Sequence, residues 1–337
     1  MVSIIEAKTA WKDTVEAMDN HDFYHTYDYH HISKKEDEQP ILFKYTEGDN
    51  TIAIPFLKRP VPDSEYFDLT SVYGYAGPLS QNVDANFDTT NFKTSFINWL
   101  KEEHIICVFS RLHPYLEYQN HILSDVGEQP VLGKVVHIDL EQSLEEQRRQ
   151  YGKSTKNRTN KGRRLCEVKK AETDEDINTF IDIYYENMDR LSANKNYYFS
   201  RDYFFNFLKC EDFKTDILLV NHIEDKCTVA ASMFVKTGNI VQFHLSGSRT
   251  DYLSIAPANI FLDEMRVLGT EEGYSHFNLG GGLGGKEDSL FNFKASFSKD
   301  YKEFSVWKYI ANQEIYDALS KNKSVTDIDY FPLYRGN

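Results

Sequence analysis

Apolar residues recur along this chain in two rhythms, one of period two and one near 3.6, and the alternation between them outlines its elements. Residues 2–6 read as a short strand and residues 10–18 as a helix. Residues 41–58, ILFKYTEGDNTIAIPFLK, predict a hairpin turning at EGDN. Phe92, Phe96, Trp99 and Leu100 share one face of a helix over 88–104. Buried strands are expected at 105–110 (IICVFS) and 133–140. A second set follows. Ile177, Phe180, Ile181, Tyr184, Met188 and Leu191 keep helical spacing, and Ser200 caps a helix over 201–210. Residues 216–248 predict a three-strand meander with turns at 224–226 and 237–239. A helix over 257–268 is expected to stop at Gly269. A strand over 274–279 runs into glycines, and a last strand lies near 303–310.

Laid over residues 218–235 at a constant offset, 41–58 matches in its apolar positions, with Glu47, Thr51 and Ala53 meeting Glu224, Thr228 and Ala230. Helical material precedes each hairpin, and a helix and a buried strand follow it. Duplication of one α/β unit explains that order better than two chance hairpins. The expected domains are 1–145 and 146–318, with the tail 319–337 packing on the first.

At 337 residues, 41% hydrophobic, the chain can bury two cores, and 22 Tyr and 23 Phe favour ring-lined clefts. No segment has the run of about 18 apolar residues needed to span a membrane, and the start carries no signal-peptide pattern. Peripheral membrane contact stays open. The four cysteines show no metal-finger spacing and read as buried thiols, which points to the cytoplasm. His21 and His25 stand one helical turn apart, but nothing nearby completes a metal site. The net charge of −14 disfavours general nucleic-acid binding and DNA in particular. The charge is uneven, however. Residues 148–170, RRQYGKSTKNRTNKGRRLCEVKK, set ten Lys or Arg against Glu167 alone. They read either as a solvated basic helix or as a contact for a phosphate-rich ligand.

The stretch GYSHFNLGGGLGGKEDSLFNFKASF, 273–297, carries the candidate chemistry. Gly280, Gly281, Gly282, Gly284 and Gly285 let backbone approach a ligand closely. Lys294 follows among phenylalanines, where a lysine is either snorkelling to water or held for a task.

The order helix, meander, helix, strand resembles the GNAT acyltransferase fold. Two such units in tandem resemble the FemABX family, which makes the amide bonds of peptidoglycan cross-bridges. The motifs are the basic stretch before Ala171, residues 180–199, YSHFNLGGG, DSLFNFKASF and the aromatic turn YGYAGP at 73–78. The resemblance implies an α/β (α+β) chain of two GNAT-like domains, each a mixed, mostly antiparallel sheet flanked by helices. It places Lys294 in the transfer site with Phe293 beside it, and gives His244 the place of a family tyrosine on the central strand of the second domain, so Lys294 and His244 become the catalytic candidates, Lys294 for the oxyanion and His244 for the amine proton. Arg190, Tyr197, Ser246, Tyr73, Tyr75 and the Gly280–Gly282 backbone become substrate-binding candidates around a pocket between the domains. Arg158, Lys161, Arg163, Arg164 and Arg249 become tRNA or phosphate contacts. No metal and no bound cofactor are implied.

For the donor, SGSRTDYLSIAPANI (246–260) has Arg249 but lacks the glycines of a pyrophosphate-cradling turn. That favours aminoacyl-tRNA over acetyl-CoA. The resulting expectation is an aminoacyltransferase acting on an amine of a cell-wall precursor. An N-acyltransferase using acyl-CoA on an amino-sugar or other envelope precursor, and a non-catalytic RNA-binding module, stay open beside it. The acyl group, the acceptor and the oligomeric state are not fixed by the sequence.

Overall fold

The computed structural model describes residues 1–321 and 330–336, so part of the tail considered above, 322–329 and 337, lies outside the described residues. The chain divides into two compact units, Met1–Leu132 with Glu303–Asn337, and Gly133–Lys302. The divisions fall at 132/133 and 302/303, rather than at 145/146 and 318/319. Strand pairing sets them: the strand after residue 130 pairs in the second unit, and the strand after residue 300 pairs in the first.

The elements in chain order are β1 (Val2–Ile5), α1 (Lys8–Glu16), α2 (Tyr27–Ser33), β2 (Gln39–Glu47), β3 (Asn50–Pro60), β4 (Phe67–Thr70), β5 (Leu79–Gln81), α3 (Thr90–Glu102), β6 (Ile105–Arg111), α4 (Gln119–Ile122) and β7 (Val131–Asp139). Then come α5 (Leu144–Arg149), α6 (Lys153–Leu165), β8 (Cys166–Lys170), α7 (Asp174–Arg190), α8 (Arg201–Leu208), β9 (Lys214–His222), β10 (Cys227–Thr237), β11 (Ile240–Ser248), α9 (Ala258–Glu271), β12 (His276–Gly280), α10 (Ser289–Lys294), β13 (Asp300–Ile310) and α11 (Gln313–Ser320).

In the first unit the strand order is β1-β2-β3-β4-β6-β13, with β4 and β6 parallel and the other neighbours antiparallel. The helical face of α3 supplies Phe92, Phe96, Trp99 and Leu100 to a core with Phe43, Phe56 and Trp307. The second unit repeats the plan in the order β7-β12-β11-β10-β9-β8, with β11 and β12 parallel. Its core gathers Phe234, Phe261, Phe277, Leu279 and Phe297. Each sheet is thus mixed, mostly antiparallel and flanked by helices.

The hairpin repeat is one residue out of step. Ile41 pairs with Phe56, whereas its counterpart Leu218 pairs with Ser232 rather than Met233. The second turn is longer, and a register shift between Thr228 and Ala230 absorbs the difference. Gly269 does not end its helix. α9 runs to Glu271, and a Cβ at Gly269 would meet Leu140 at 2.9 Å, so close packing explains that glycine. Of the cysteines, Cys107 and Cys166 are buried while Cys210 and Cys227 are half-buried. Among the described residues no helix is long and apolar enough to cross a membrane.

The described end of the tail is pinned within the first unit. The carboxylate of Asp68, wholly buried, accepts hydrogen bonds from Arg59 Nε (2.6 Å), Tyr334 OH (2.7 Å) and Arg335 Nε (2.5 Å).

Candidate functional site

The glycine stretch becomes a tight turn between β12 and α10 in the second unit. Gly280 has φ +75°, a conformation that favours glycine, and the register of β12 against β7 shifts between Asn278 and Gly280. Asp288 staples the turn to the helix. Its carboxylate caps α10 by accepting from Phe291 N (2.9 Å) and reaches back to Leu283 N (3.0 Å). A Cβ at Gly282 would lie 2.0 Å from the Lys286 carbonyl oxygen, so the turn closes only over a bare backbone.

Lys294 is the last residue of α10 and is 8% exposed. Its Nζ donates to the Gly281 carbonyl at 2.7 Å and lies 5.7 Å from the centroid of the Phe243 ring. Burial lowers its pKa to about 8, and the Asp288 carboxylate only partly opposes that fall. An ammonium that loses hydration in this way is a functional-site candidate. Phe293 lies edge-on to Phe297, half-buried against the core.

His244 does not share this environment. Phe243 joins Phe234 and Phe261 in the core, whereas the next side chain, His244, stacks on Phe207 of α8 with ring centroids 5.1 Å apart. Successive side chains of a strand face opposite sides of the sheet, which turns these two neighbours apart. Burial alone pushes the His244 imidazole well below its ordinary value. The two residues expected to act together are therefore held in different surroundings.

Other expected residues carry structural duties. Arg190 donates to Ser248 O (2.8 Å) and Thr250 Oγ1 (3.3 Å), tying α7 to the end of β11. Arg249 Nε donates to Thr228 O (2.8 Å), and its guanidinium pairs with Glu186 (3.3 Å). The Tyr197 carbonyl accepts from Tyr184 OH (2.7 Å). Ser246, half-buried, sits across from Ser232. Tyr73 and Tyr75 belong to the first unit. There Tyr73 O accepts from Tyr29 OH (2.8 Å), Tyr75 lies edge-on to Phe304, and a Cβ at Gly74 would strike the Tyr24 ring. A separate cleft of about 390 Å³ in that unit is lined by His113, Tyr118, His121, Glu303 and Phe304 among others. None of the residues selected from the sequence lines it.

The basic block is split. Arg163 Nε donates to the buried Asp263 (2.7 Å) and Nη1 pairs with Glu264 (3.0 Å), while Arg148 and Arg266 meet the same Asp263. Arg158, Lys161 and Arg164 stand exposed on α6, with no ion pair among the described residues. Among the described residues no group of three or more His, Cys, Asp or Glu could hold a metal ion. Sequence reading missed Asp288 and Asn278. An Asp six residues before the lysine and directly ahead of a helical run was an available N-cap signal.

No family model matches the chain, and no curated protein matches it. Solved structures do. FemX is similar over 94% of this chain and 99% of its own, with a TM-score of 0.72 at 12% identity. A conserved protein of unknown function from Bacteroides thetaiotaomicron covers 92% and 100% (TM-score 0.59, 15% identity). The C-terminal domain of a putative lysylphosphatidylglycerol synthetase from Agrobacterium fabrum covers 93% and 96% (TM-score 0.58, 13% identity). The chain has the fold of FemX, built here from two α/β units.

Proposed function

We propose that the chain is an acyltransferase that forms an amide bond, passing an aminoacyl group from aminoacyl-tRNA to an amine of a cell-wall precursor. The observation that carries this reading is the buried Lys294 ammonium on the glycine turn. In the transfer, the acceptor nitrogen attacks the acyl carbonyl. A C–N bond forms, the ester C–O bond to the tRNA ribose breaks, and one proton passes from the amine to the departing hydroxyl. Lys294 Nζ donates to the oxygen that gains negative charge. In a site poor in water such a donor is worth a factor of ~10²–10³ in rate. Positioning of the two reactants supplies a further share.

Two observations favour a tRNA donor over acyl-CoA. The arginine at the place of a pyrophosphate turn, Arg249, is engaged by Glu186 and Thr228. The exposed row Arg158, Lys161 and Arg164 offers cations to a phosphate backbone. The names of the similar structures, FemX and a putative lysylphosphatidylglycerol synthetase, agree with aminoacyl chemistry on this fold.

The test is a donor assay with charged tRNA and with acetyl-CoA, each offered a peptidoglycan precursor and an amino-sugar. Amide product from charged tRNA that disappears in Lys294→Ala supports the reading. Product from acetyl-CoA alone replaces it with the acyl-CoA reading. No product from either, with RNA binding that is lost on charge reversal of α6, leaves the non-catalytic module.

A further inference from the structure

β11 and β12 pair at three positions, Ile240 with His276, Val241 with Phe277 and Gln242 with Asn278. Asn278 is the last of them. Beyond it β12 breaks at Gly280, while β11 continues to Ser248. The carboxyl ends of parallel strands, where they part, are a general seat for ligands in α/β folds.

Asn278 is wholly buried. Its Oδ1 accepts from Gly280 N at 2.8 Å, which fixes which end of the amide is oxygen. Its Nδ2 has no hydrogen-bond partner among the described residues. An unmade buried donor costs about 1–3 kcal/mol. Phe277 and Leu279 join the apolar core, while Asn278, by the alternation of the strand, lies on the other face, across from Gln242 and His137. A polar residue retained against that cost calls for a partner.

Asn278 and Lys294 hold the same two-residue turn. One binds the Gly280 N–H and the other the Gly281 carbonyl. Lys294 Nζ gives one of its three N–H groups to this turn, and the Asn278 Nδ2 stands without a partner among the described residues, at the point where the strands separate.

We infer that the Asn278 Nδ2 is a substrate-binding group that donates a hydrogen bond to the carbonyl oxygen of the transferred acyl group, at the fork between β11 and β12. This rests on the reading of the Lys294 turn as the transfer site. The ligand it selects is an acyl ester or thioester whose carbonyl oxygen enters the fork. Asn278 orients the carbonyl in the ground state, and Lys294 meets the charge that develops during attack.

The substitution that separates roles is Asn278→Asp. It keeps an oxygen for Gly280 N and replaces only the donor. Steady-state kinetics are run on the full chain with charged tRNA and with acetyl-CoA, on wild type, Asn278→Asp and Asn278→Ala, from pH 5.5 to 8.5. At pH 8, Asn278→Asp is expected to lose ~10–100-fold in kcat/KM for the donor, mostly through KM. It regains activity toward acid pH, where the buried carboxyl carries a proton and donates again. Asn278→Ala stays low at every pH.

Wild-type kinetics for Asn278→Asp at pH 8 overturn the inference and leave the Lys294 reading intact. So does a loss that is the same at every pH and tracks a fall in melting temperature. A wild type that is silent with both donors removes the transfer reading and this inference together.

Discussion

Replacing Lys294 by methionine separates a functional lysine from a structural one. Burial lowers the lysine from its ordinary 10.5 to about 8. At 1.36 kcal/mol per pH unit, holding it charged at pH 7 costs on the order of 3 kcal/mol of folding stability. Methionine fills the same slot beside Phe243 without charge, but it leaves the Gly281 carbonyl unbonded. That loss offsets about 1–3 kcal/mol. The net expectation at pH 7 is a variant as stable as wild type or more stable by about 1 kcal/mol, a rise of ~2–4 °C for a unit of this size. Between pH 8 and 10.5 the unfolded lysine holds its proton while the folded one has lost it. Wild-type stability therefore climbs with pH across that window, and the advantage of the variant shrinks. Amide transfer should fall by ~10²-fold or more. Differential scanning calorimetry from pH 6.5 to 10.5, paired with the donor assay, reads both. A melting point several degrees below wild type at pH 7, or undiminished transfer, would refute the reasoning.

Four further outcomes follow from the same geometry. Gly282→Ala puts a Cβ 2.0 Å from the Lys286 carbonyl, so it should lower kcat/KM strongly while leaving far-ultraviolet circular dichroism unchanged. On α6, Arg158→Glu with Lys161→Glu and Arg164→Glu should weaken tRNA binding and flatten its salt dependence without moving the melting point. Arg163→Ala should instead destabilise by about 1–3 kcal/mol, because it strips a partner from the buried Asp263; filter binding and thermal melts distinguish the two. Asp68→Ala leaves Arg59, Tyr334 and Arg335 without their shared carboxylate and should cost about 3–5 kcal/mol in urea unfolding, with transfer per folded molecule retained.

Elements with an unbroken rhythm were legible. The period of Phe92, Phe96, Trp99 and Leu100 gave α3, and the meander gave β9 to β11, because each buries one face throughout. β8 was not legible. Cys166–Lys170 is an edge strand with mostly solvated side chains, so it reads as more of the basic helix. Gly269 misled because a glycine chosen for close packing looks like one chosen for a helix end. Lys294 was singled out by the resemblance and its phenylalanine neighbours, whereas its bond to the Gly281 carbonyl depends on a turn of specific shape. His244 and Phe243 follow one another on β11, so alternation sends them to opposite faces and only Phe243 lies beside Lys294; which face holds the lysine is not written in a period-two pattern. The pairing of Arg163 with Asp263 was not legible because the two lie 100 residues apart, beyond the reach of any local charge count.

The separation of His244 from Lys294 bears on how the reaction responds to pH. His244 stays neutral across the physiological range, so it adds no limb to a pH–rate profile there. Lys294, at about 8, does. As an ammonium that steadies the oxyanion, Lys294 makes activity fall as pH rises through about 8. As a free amine taking the acceptor's proton, it makes activity rise through the same point. The acceptor amine contributes a rising limb of its own, but that limb is shared by every variant and cancels in a ratio. Lys294→Arg supplies the comparison, since a guanidinium keeps its charge throughout. Under the ammonium role the variant retains partial activity, and its ratio to wild type climbs above pH 8. A variant that is inactive at every pH, beside a wild type that gains activity through pH 8, would assign the lysine to proton removal and withdraw it from the oxyanion.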